Sequence, residues 1–363
     1  MKNILFFADR LPPLIGGMEM HANYFIKHFT NHDKFPISGI ITKDEKGQDC
    51  LLSKNGNISV IDINNLSKLF DPDILFFNSG RWIENMKQIR NMFKNSTFFY
   101  RTGGNEILKA PLTNENIADH SLRQAYWVKN LNDSIDIMIT NSFYTEKRLK
   151  NIGITCSFAK CVGGVNVPKL KISKLLNQEP ITIFCAARFV PYKNHHLLIS
   201  VIRELILKGH NLVVRLAGDG SLLKDVKKQV GRNNLTKIIK FLGSIDNNKV
   251  CQEIVDANIY MQLSCDLVTK VEGGSYVHSE CMGRSILEAI TLGTFVIAGK
   301  SGALSEVITK NRGMLVNLDS SLEKITDDIE KVLKNVPAKR NFTDEFIWEK
   351  IFNRYEDLFD AKD

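Results

Sequence analysis

The sequence predicts an α/β protein built from two open, mostly parallel sheets, each covered by helices. Three observations carry this. Short β-branched and aromatic runs alternate with longer helix-period segments from one end to the other. The alternation stops once, at the polar, basic, proline-bounded stretch "VPKLKISKLLNQEP" over 167–180, and then restarts. The chain has 363 residues, whereas one ordinary domain holds about 100–200.

In the first half, strands are expected at "ILFFA" (4–8), "ISGII" (37–41), "ISVIDI" (58–63), "DILFF" (73–77), "TFFYR" (97–101) and "IMIT" (137–140). Helical stretches around 18–29, 82–94, 115–132 and 143–150 lie between them, the order of a parallel sheet with crossover helices. After the break, strands follow at "ITIFCAA" (181–187), "NLVVRLAG" (211–218), "IIKFLG" (238–243), "IYMQLS" (259–264) and "TFVIAG" (294–299). Their helices are expected near 193–208, 221–231, 247–256, 284–292 and 303–309. Two Rossmann-like halves joined by one linker is the economical reading. The last segment, "TDEFIWEKIFNRYEDLF" (343–359), places Phe346, Ile347, Ile351, Tyr355, Leu358 and Phe359 on one helical stripe, so it should pack rather than trail. The expected division is 1–172, 173–340 and a terminal helix at 341–363.

Composition narrows the function classes. An apolar fraction of 44% against 24% charged suits two packed cores and leaves no tract polar enough for disorder. No run of about eighteen apolar residues exists to span a membrane, and "MKNILFFADRLPP" lacks the apolar core of a secretory signal, which predicts a cytosolic protein. The seven cysteines stand singly, without metal spacing, and read as reduced thiols. The net charge of +8 suits an anionic membrane surface or a phosphate-bearing ligand. The cations are dispersed and form no recognised nucleic-acid module, so nucleic acid is not expected as a partner.

Ligands of open α/β sheets sit outside the carboxyl ends of the strands, so chemistry is sought in the loops that follow them. After the first strand, Gly16 and Gly17 precede a helix with Glu19 in its first turn, where free N–H groups favour an anion. After the first strand of the second half, "AARFVPYKNHHLLI" sets Arg188 and Lys193 around a proline turn; a planar fork and a point charge together suit a diphosphate. Three glutamates, Glu272, Glu280 and Glu288, follow at equal spacing. The helix "RSILEAITLG" puts Glu280 just before its N-terminus and Glu288 in its second turn, while Glu272 falls inside an irregular, glycine-bearing loop over 265–283.

In order and spacing, "GGMEMHA", "TNSFYTEKRLKNIGI", "VGGVNVP", "AARFVPYKNHHLLI", "VVRLAGDGSLLKDVKK", "IKFLGSIDNNKV", "ECMGRSILEAITLGTFVIAGKSGALSEVI" and "FIWEKIFNRYEDLF" resemble the retaining glycosyltransferases of the GT-B fold, the large family-four group that uses nucleotide-sugar donors. The resemblance implies two Rossmann-like domains facing across a cleft, with the final helix crossing back to the first. It implies that Gly16 and Gly17 face the donor diphosphate, that Arg188 and Lys193 neutralise it, that Glu288 holds the ribose and that Glu280 lies near the donor sugar. The amides of Gly283, Arg284 and Ser285 match the turn that holds sugar and phosphate, and the loop at Ser244 and Ile245 lies near the base. No metal or other cofactor is implied, since side-chain cations and helix dipoles do that work.

The pattern is broken at Cys281 and Met282, where the family commonly has glycine then an aromatic, and at Asn166, where aspartate is frequent. Many members carry a histidine where this chain reads "YRTGGNEI", so Arg101, Asn105 and Glu106 become the candidates for sugar or acceptor contact. The acceptor implied is a glycan or lipid-linked molecule of a bacterial surface polysaccharide, lipopolysaccharide or capsule. The alternatives are a nucleotide-sugar-binding protein without transfer activity, or a related epimerase or phosphorylase. The stretch "ENMKQIRNMFKN" (84–95) interleaves apolar residues with cations, and with "TEKRLKN" (145–151) it predicts peripheral contact with anionic lipid on the inner membrane face. Lys193→Ala and Glu288→Ala are each expected to reduce transfer strongly while leaving the fold intact.

Overall fold

Strand period decides the first core. In a computed structural model describing residues 1–9, 11, 16–53, 56–78, 81–110, 117–168, 170, 179–336 and 342–361, the adjacent pairs Phe6/Phe7 and Phe76/Phe77 send one ring to each face of a sheet. Phe6 stacks on Phe76 at 5.7 Å between centroids and Phe7 on Phe77 at 4.5 Å, so both faces are dry and the strands read as apolar runs.

That sheet has eight strands: β1 (Ile4–Phe7), β2 (Ile37–Lys43), β3 (Asp49–Leu52), β4 (Ile58–Val60), β5 (Ile74–Asn78), β6 (Thr97–Thr102), β7 (Ile137–Thr140) and β8 (Ser157–Lys160). Their order is β4-β3-β2-β1-β5-β6-β7-β8, parallel except for the antiparallel turns into β3 and β4 at one edge. The single strand expected over 58–63 is therefore β4 followed by a 3-10 turn at Ile63–Asn65. Helices α1 (Gly17–Phe29), α2 (Leu66–Leu69), α3 (Met86–Met92), α4 (Asn105–Lys109), α5 (His120–Ser134) and α6 (Phe143–Asn151) connect the strands.

One expectation is corrected here. The apolar residues of 84–95 are core: Met86, Ile89 and Phe93 are buried with Trp82, Trp127 and Leu131. They are not free to enter a lipid surface, and Arg90 is held by Asp136 through two bonds of 3.0 Å. Only Lys87 and Lys94 of that stretch's cations stay exposed.

The second sheet contains β9 (Ile181–Ala186), β10 (Leu212–Ala217), β11 (Ile239–Gly243) and β12 (Ile259–Gln262), then, beyond a separate two-stranded hairpin β13 (Leu267–Val271) and β14 (Gly274–His278), β15 (Phe295–Gly299) and β16 (Gly313–Val316). Its order is β11-β10-β9-β12-β15-β16 and its pairs are parallel. The chain winds outward from β9 in one direction, then returns to β12 and winds outward in the other. The reversal lies between β9 and β12, the switch point at which such sheets bind ligands. Helices α7 (His195–Leu207), α8 (Leu223–Arg232), α9 (Asn247–Asp256), α10 (Arg284–Thr291) and α11 (Leu322–Leu333) complete this half. The helix expected near 303–309 is a 3-10 turn at Gly302–Glu306.

The compact units are Met1–Gly163 with Thr269–Tyr276 and Trp348–Asp363, and Gly164–Val268 with Val277–Ile347. The boundaries expected at 172/173 and 340/341 fall outside the described residues. The division at 163/164 follows from the bridge of Val165 to Ile347, which ties both into the second unit. The last helix, α12 (Trp348–Asp360), belongs to the first unit, because Trp348, Ile351, Phe352, Tyr355 and Phe359 fill the sheet face that Phe6, Phe25 and Phe76 line. Its polar side is gripped too: Glu356 Oε1 lies 2.9 Å from His28 Nε2 and 3.3 Å from His32 Nε2. His32 Nδ1 accepts from the backbone N–H groups of Lys34 and Phe35, which leaves its proton on Nε2, pointing at the carboxylate.

The irregular loop expected over 265–283 is corrected as well. Residues 267–278 form the β13–β14 hairpin, and Glu272 lies in its turn, where its carbonyl accepts from His120 N–H at 2.9 Å while Gly273 O accepts from Ser121 Oγ at 2.7 Å. Gly273 has φ +74°, and a Cβ there would strike the Asp119 carboxylate, so the turn demands glycine twice over. Among the described residues no helix is long and apolar enough to cross a membrane.

Candidate functional site

At the carboxyl end of β9 the chain turns through Arg188 to Lys193, the last residue of a 3-10 turn, Pro191–Lys193. Asn194 follows in the left-handed region at φ +53°, a conformation asparagine tolerates, and starts α7. Arg188 is exposed and has no ion-pair partner among the described residues. Lys193 turns inward and pairs with Glu280. Burial opposes its charge, but Glu280 outweighs that and leaves the Lys193 pKa raised.

Glu280 is 5% exposed and comes from the segment after β14. Its Oε1 accepts from Lys193 Nζ, from Ser264 Oγ at 2.8 Å and from Gln262 Nε2 at 2.9 Å. Among the described residues every side-chain hydrogen bond to this carboxylate thus falls on one oxygen, which leaves Oε2 as the atom that can face a ligand. The Glu280 backbone is pinned by Ser301 Oγ to its N–H at 3.2 Å and by Ala303 N–H to its carbonyl at 2.7 Å.

Three residues on, Gly283 caps α10 at φ +72°, where a Cβ would meet Leu304 at 2.9 Å. The first turn of α10 begins beside Glu280, with Ile286 N–H closed onto Gly283 O at 2.9 Å and the positive end of the helix at this point, a setting for an anion. Within it, Ser285 Oγ lies 2.7 Å from Tyr260 OH and 3.3 Å from Gln262 Oε1. Glu288, a turn further in, is 3% exposed; burial pushes its carboxyl pKa up, while Arg284 and a 2.8 Å bond from Asn247 Nδ2 hold it partly down. Asn247 stands at the start of α9, whose cap Asp246 accepts from Lys249 N–H, so the loop carrying Ser244 and half-buried Ile245 leads directly to the Glu288 partner.

Thus Arg188, Lys193, Ile245, Glu280, Gly283, Arg284, Ser285 and Glu288 all lie in the second unit, and Lys193 meets Glu280 while Arg284 meets Glu288 at 3.6 Å. Cys281 points inward and Met282 remains half-exposed, so Met282 is the one of that pair open to a ligand. The sequence did not single out Tyr260, Gln262, Ser264 or Asn247. A signal existed for the first three: in "YMQLS" they recur at every second position, one polar face on an otherwise apolar strand.

The remaining candidates belong to the first unit. Gly16 caps α1 with extended backbone, and its lack of a side chain admits the Glu19 carboxylate, which a Cβ would meet at 2.2 Å; Gly17 faces open space. Arg101 is 4% exposed and is engaged inside the fold: its Nε donates to Tyr355 OH at 3.1 Å and its guanidinium reaches Met18 Sδ at 3.0 Å. Glu106 accepts from Thr102 Oγ1 at 2.5 Å and Gly103 N–H at 2.9 Å, shaping the turn into α4. Asn105, the first residue of α4, has a buried Oδ1 with no partner among the described residues.

Known proteins resemble the chain at three levels. Residues 166–345 match the family model described as Glycosyl transferases group 1. The chain is 23% identical over 257 residues to the GDP-mannose-dependent monoacylated alpha-(1-6)-phosphatidylinositol monomannoside mannosyltransferase of Corynebacterium glutamicum, covering 65% of each. It is 22% identical over 217 residues to a GDP-mannose-dependent alpha-(1-6)-phosphatidylinositol monomannoside mannosyltransferase of Mycobacterium tuberculosis, covering 57% of this chain and 54% of that one. The chain thus spans about half to two-thirds of these relatives' length. In structure it is similar to Anabaena Alr3699/HepE in complex with UDP-glucose, with a TM-score of 0.68, 18% identity and coverage of 99% and 100%. It is similar also to the lipopolysaccharide outer core galactosyltransferase WaaB, with a TM-score of 0.68, 14% identity and coverage of 99% of both chains. The fold is therefore GT-B, with two Rossmann-like domains.

Proposed function

The chain belongs, through residues 166–345, to the glycosyl transferases group 1 family, and on that premise we propose that it is a retaining, metal-independent glycosyltransferase that moves a sugar from a nucleotide-sugar to a glycan or lipid-linked acceptor. The observation that carries the reading is the cluster at the switch point between β9 and β12: one exposed cation, Arg188, one buried ion pair, Lys193 with Glu280, and the N-terminus of α10.

In the proposed step the bond between the anomeric carbon and the donor phosphate oxygen breaks, and its electron pair stays on the nucleoside diphosphate. Arg188, Lys193 and the α10 amides stabilise that growing negative charge, the task a bound divalent ion performs elsewhere. The acceptor hydroxyl attacks from the same face and passes its proton to the departing phosphate oxygen. Glu280 presents Oε2 to the donor sugar and serves as no nucleophile, and buried Glu288 accepts the ribose hydroxyls. A carboxylate kept from water gains from two such donors more than an exposed one would.

A phosphatidylinositol-linked acceptor is named for both mannosyltransferase relatives, which supports a lipid-linked acceptor for this chain too. In this reading Gly16 and Gly17 serve the donor diphosphate, and Arg101, Asn105 and Glu106 serve sugar or acceptor contact.

The test is a thermal-shift screen with GDP-, UDP- and ADP-sugars in the presence of EDTA. One donor class should raise the melting temperature, since a ligand at about 100 times its Kd stabilises by about 2.7 kcal/mol. No shift with any of them would remove the nucleotide-sugar reading.

A further inference from the structure

We propose that Gln262 is a positioning residue for the transfer reaction, fixing Glu280 as a hydrogen-bond acceptor and Ser285 as an oriented hydroxyl within one hydrogen-bonded unit; this rests on the sugar-transfer reading above.

Gln262 ends β12 and is fully buried between the two groups it serves. Its two amide hydrogens go to Glu280 Oε1 at 2.9 Å and Ser264 Oγ at 3.0 Å, and Ser264 passes its own hydrogen to the same carboxylate oxygen at 2.8 Å. Its carbonyl faces the other way, 3.0 Å from Tyr260 OH and 3.3 Å from Ser285 Oγ. The flipped amide would aim a carbonyl at a carboxylate, so the neighbours leave a single orientation. Burial pushes the Tyr260 phenol well above its ordinary range, which keeps it a donor, and Ala186 N–H supplies its oxygen at 3.3 Å.

Proton counting gives the device its use. Tyr260 and Ser285 have two hydroxyl hydrogens for three acceptors, Ser285 Oγ, Gln262 Oε1 and the Ala186 carbonyl 3.1 Å from Tyr260 OH, and Gln262 Oε1 needs only one of them. With Tyr260 donating to Ser285, Ser285 donates to Gln262; when Ser285 turns its hydrogen to a ligand oxygen, Tyr260 donates to Gln262 instead. Ser285 is thus released toward a donor phosphate or sugar while Gln262 Oε1 keeps a donor and Glu280 keeps its grip on Lys193.

The test compares the full-length wild type with Gln262→Glu and Gln262→Met by nucleoside diphosphate release from GDP-mannose, UDP-glucose and UDP-N-acetylglucosamine. Protonated, the new carboxyl keeps the carbonyl and one of the amide's two donors, enough to bond Glu280; ionised, it sets a second carboxylate against Glu280. The kcat of Gln262→Glu should lie within about threefold of wild type near about pH 5.5 and about 30-fold below it near about pH 8.5, with donor KM changed less than about threefold. Gln262→Met, which deletes both ends of the amide, should fall about 10- to 100-fold at every pH. A Gln262→Glu profile parallel to wild type overturns the proposal even if Gln262→Met fails to fold, and leaves the sugar-transfer reading standing. A wild type that releases nucleoside diphosphate from none of the three, and whose melting temperature no GDP-, UDP- or ADP-sugar raises, overturns both.

Discussion

Lys193 and Glu280 carry opposite charges into a place with little water, and their fates are tied. Lys193→Met leaves an unpaired buried carboxylate and should lower unfolding free energy by about 3–5 kcal/mol, whereas adding Glu280→Gln should restore much of that. Urea unfolding of the two single variants and the double checks it; additive losses would mean that the pair is not coupled. This revises the expectation that Lys193→Ala spares the fold, and makes exposed Arg188 the cleaner probe of diphosphate binding. Glu288 gives a pH signature. Its folded pKa is raised above the ordinary 4.5 by burial, so the protonated form is favoured on folding. The stability this contributes is present below about pH 4.5 and is lost as pH rises through the folded pKa. Glu288→Gln should therefore raise the melting temperature at neutral pH, by an amount that shrinks toward about pH 4; a constant difference across pH would contradict the burial argument. Residue types were legible here: the cations and glutamates announced themselves by charge in loops after strands. Their partners were not, because Gln262, Ser264 and Asn247 are neutral and ordinary until a neighbour's charge gives them a task.

Among the elements, periodicity exposed most of the strands and helices, since two-sided burial writes continuous apolar runs such as "ILFF". Short edge additions escaped: β3, β8 and β16 are four residues long, and the β13–β14 hairpin hides its alternation behind a Gly-Gly turn that also reads as loop. The cations around α3 suggested a lipid-facing helix because amphipathic periodicity does not say whether the apolar stripe meets lipid or a sheet. The last helix was legible as a packed stripe, and its polar lock was not. Tyr355 OH lies 3.1 Å from both His21 Nε2 and Arg101 Nε at the buried centre of α12. Tyr355→Phe strips two buried polar groups of a partner and should lower unfolding free energy by about 1–3 kcal/mol in urea titration. A loss below about 0.3 kcal/mol would show that the hydroxyl contributes nothing to holding α12.

At the scale of the molecule, the charge of +8 is legible from composition alone, and its use follows from which cations are exposed. With the apolar side of α3 buried, membrane contact would be electrostatic, through residues such as Lys87, Lys94 and Lys147. Sedimentation should then show binding to vesicles containing anionic lipid, none to neutral vesicles, and release at about 0.5 M salt, where the screening length falls to about 4 Å; equal sedimentation with both would remove the electrostatic contact. The central claim is that the switch point between β9 and β12 binds a nucleoside diphosphate by the protein's own side chains and α10 amides, without a metal ion. Calorimetric titration of GDP and of UDP into wild type and Arg188→Ala, both in EDTA, tests it most directly. Saturable binding of one nucleotide by the wild type, weakened at least about tenfold by Arg188→Ala, is the result predicted; equal affinity in the two proteins, or no heat with either nucleotide, would contradict it.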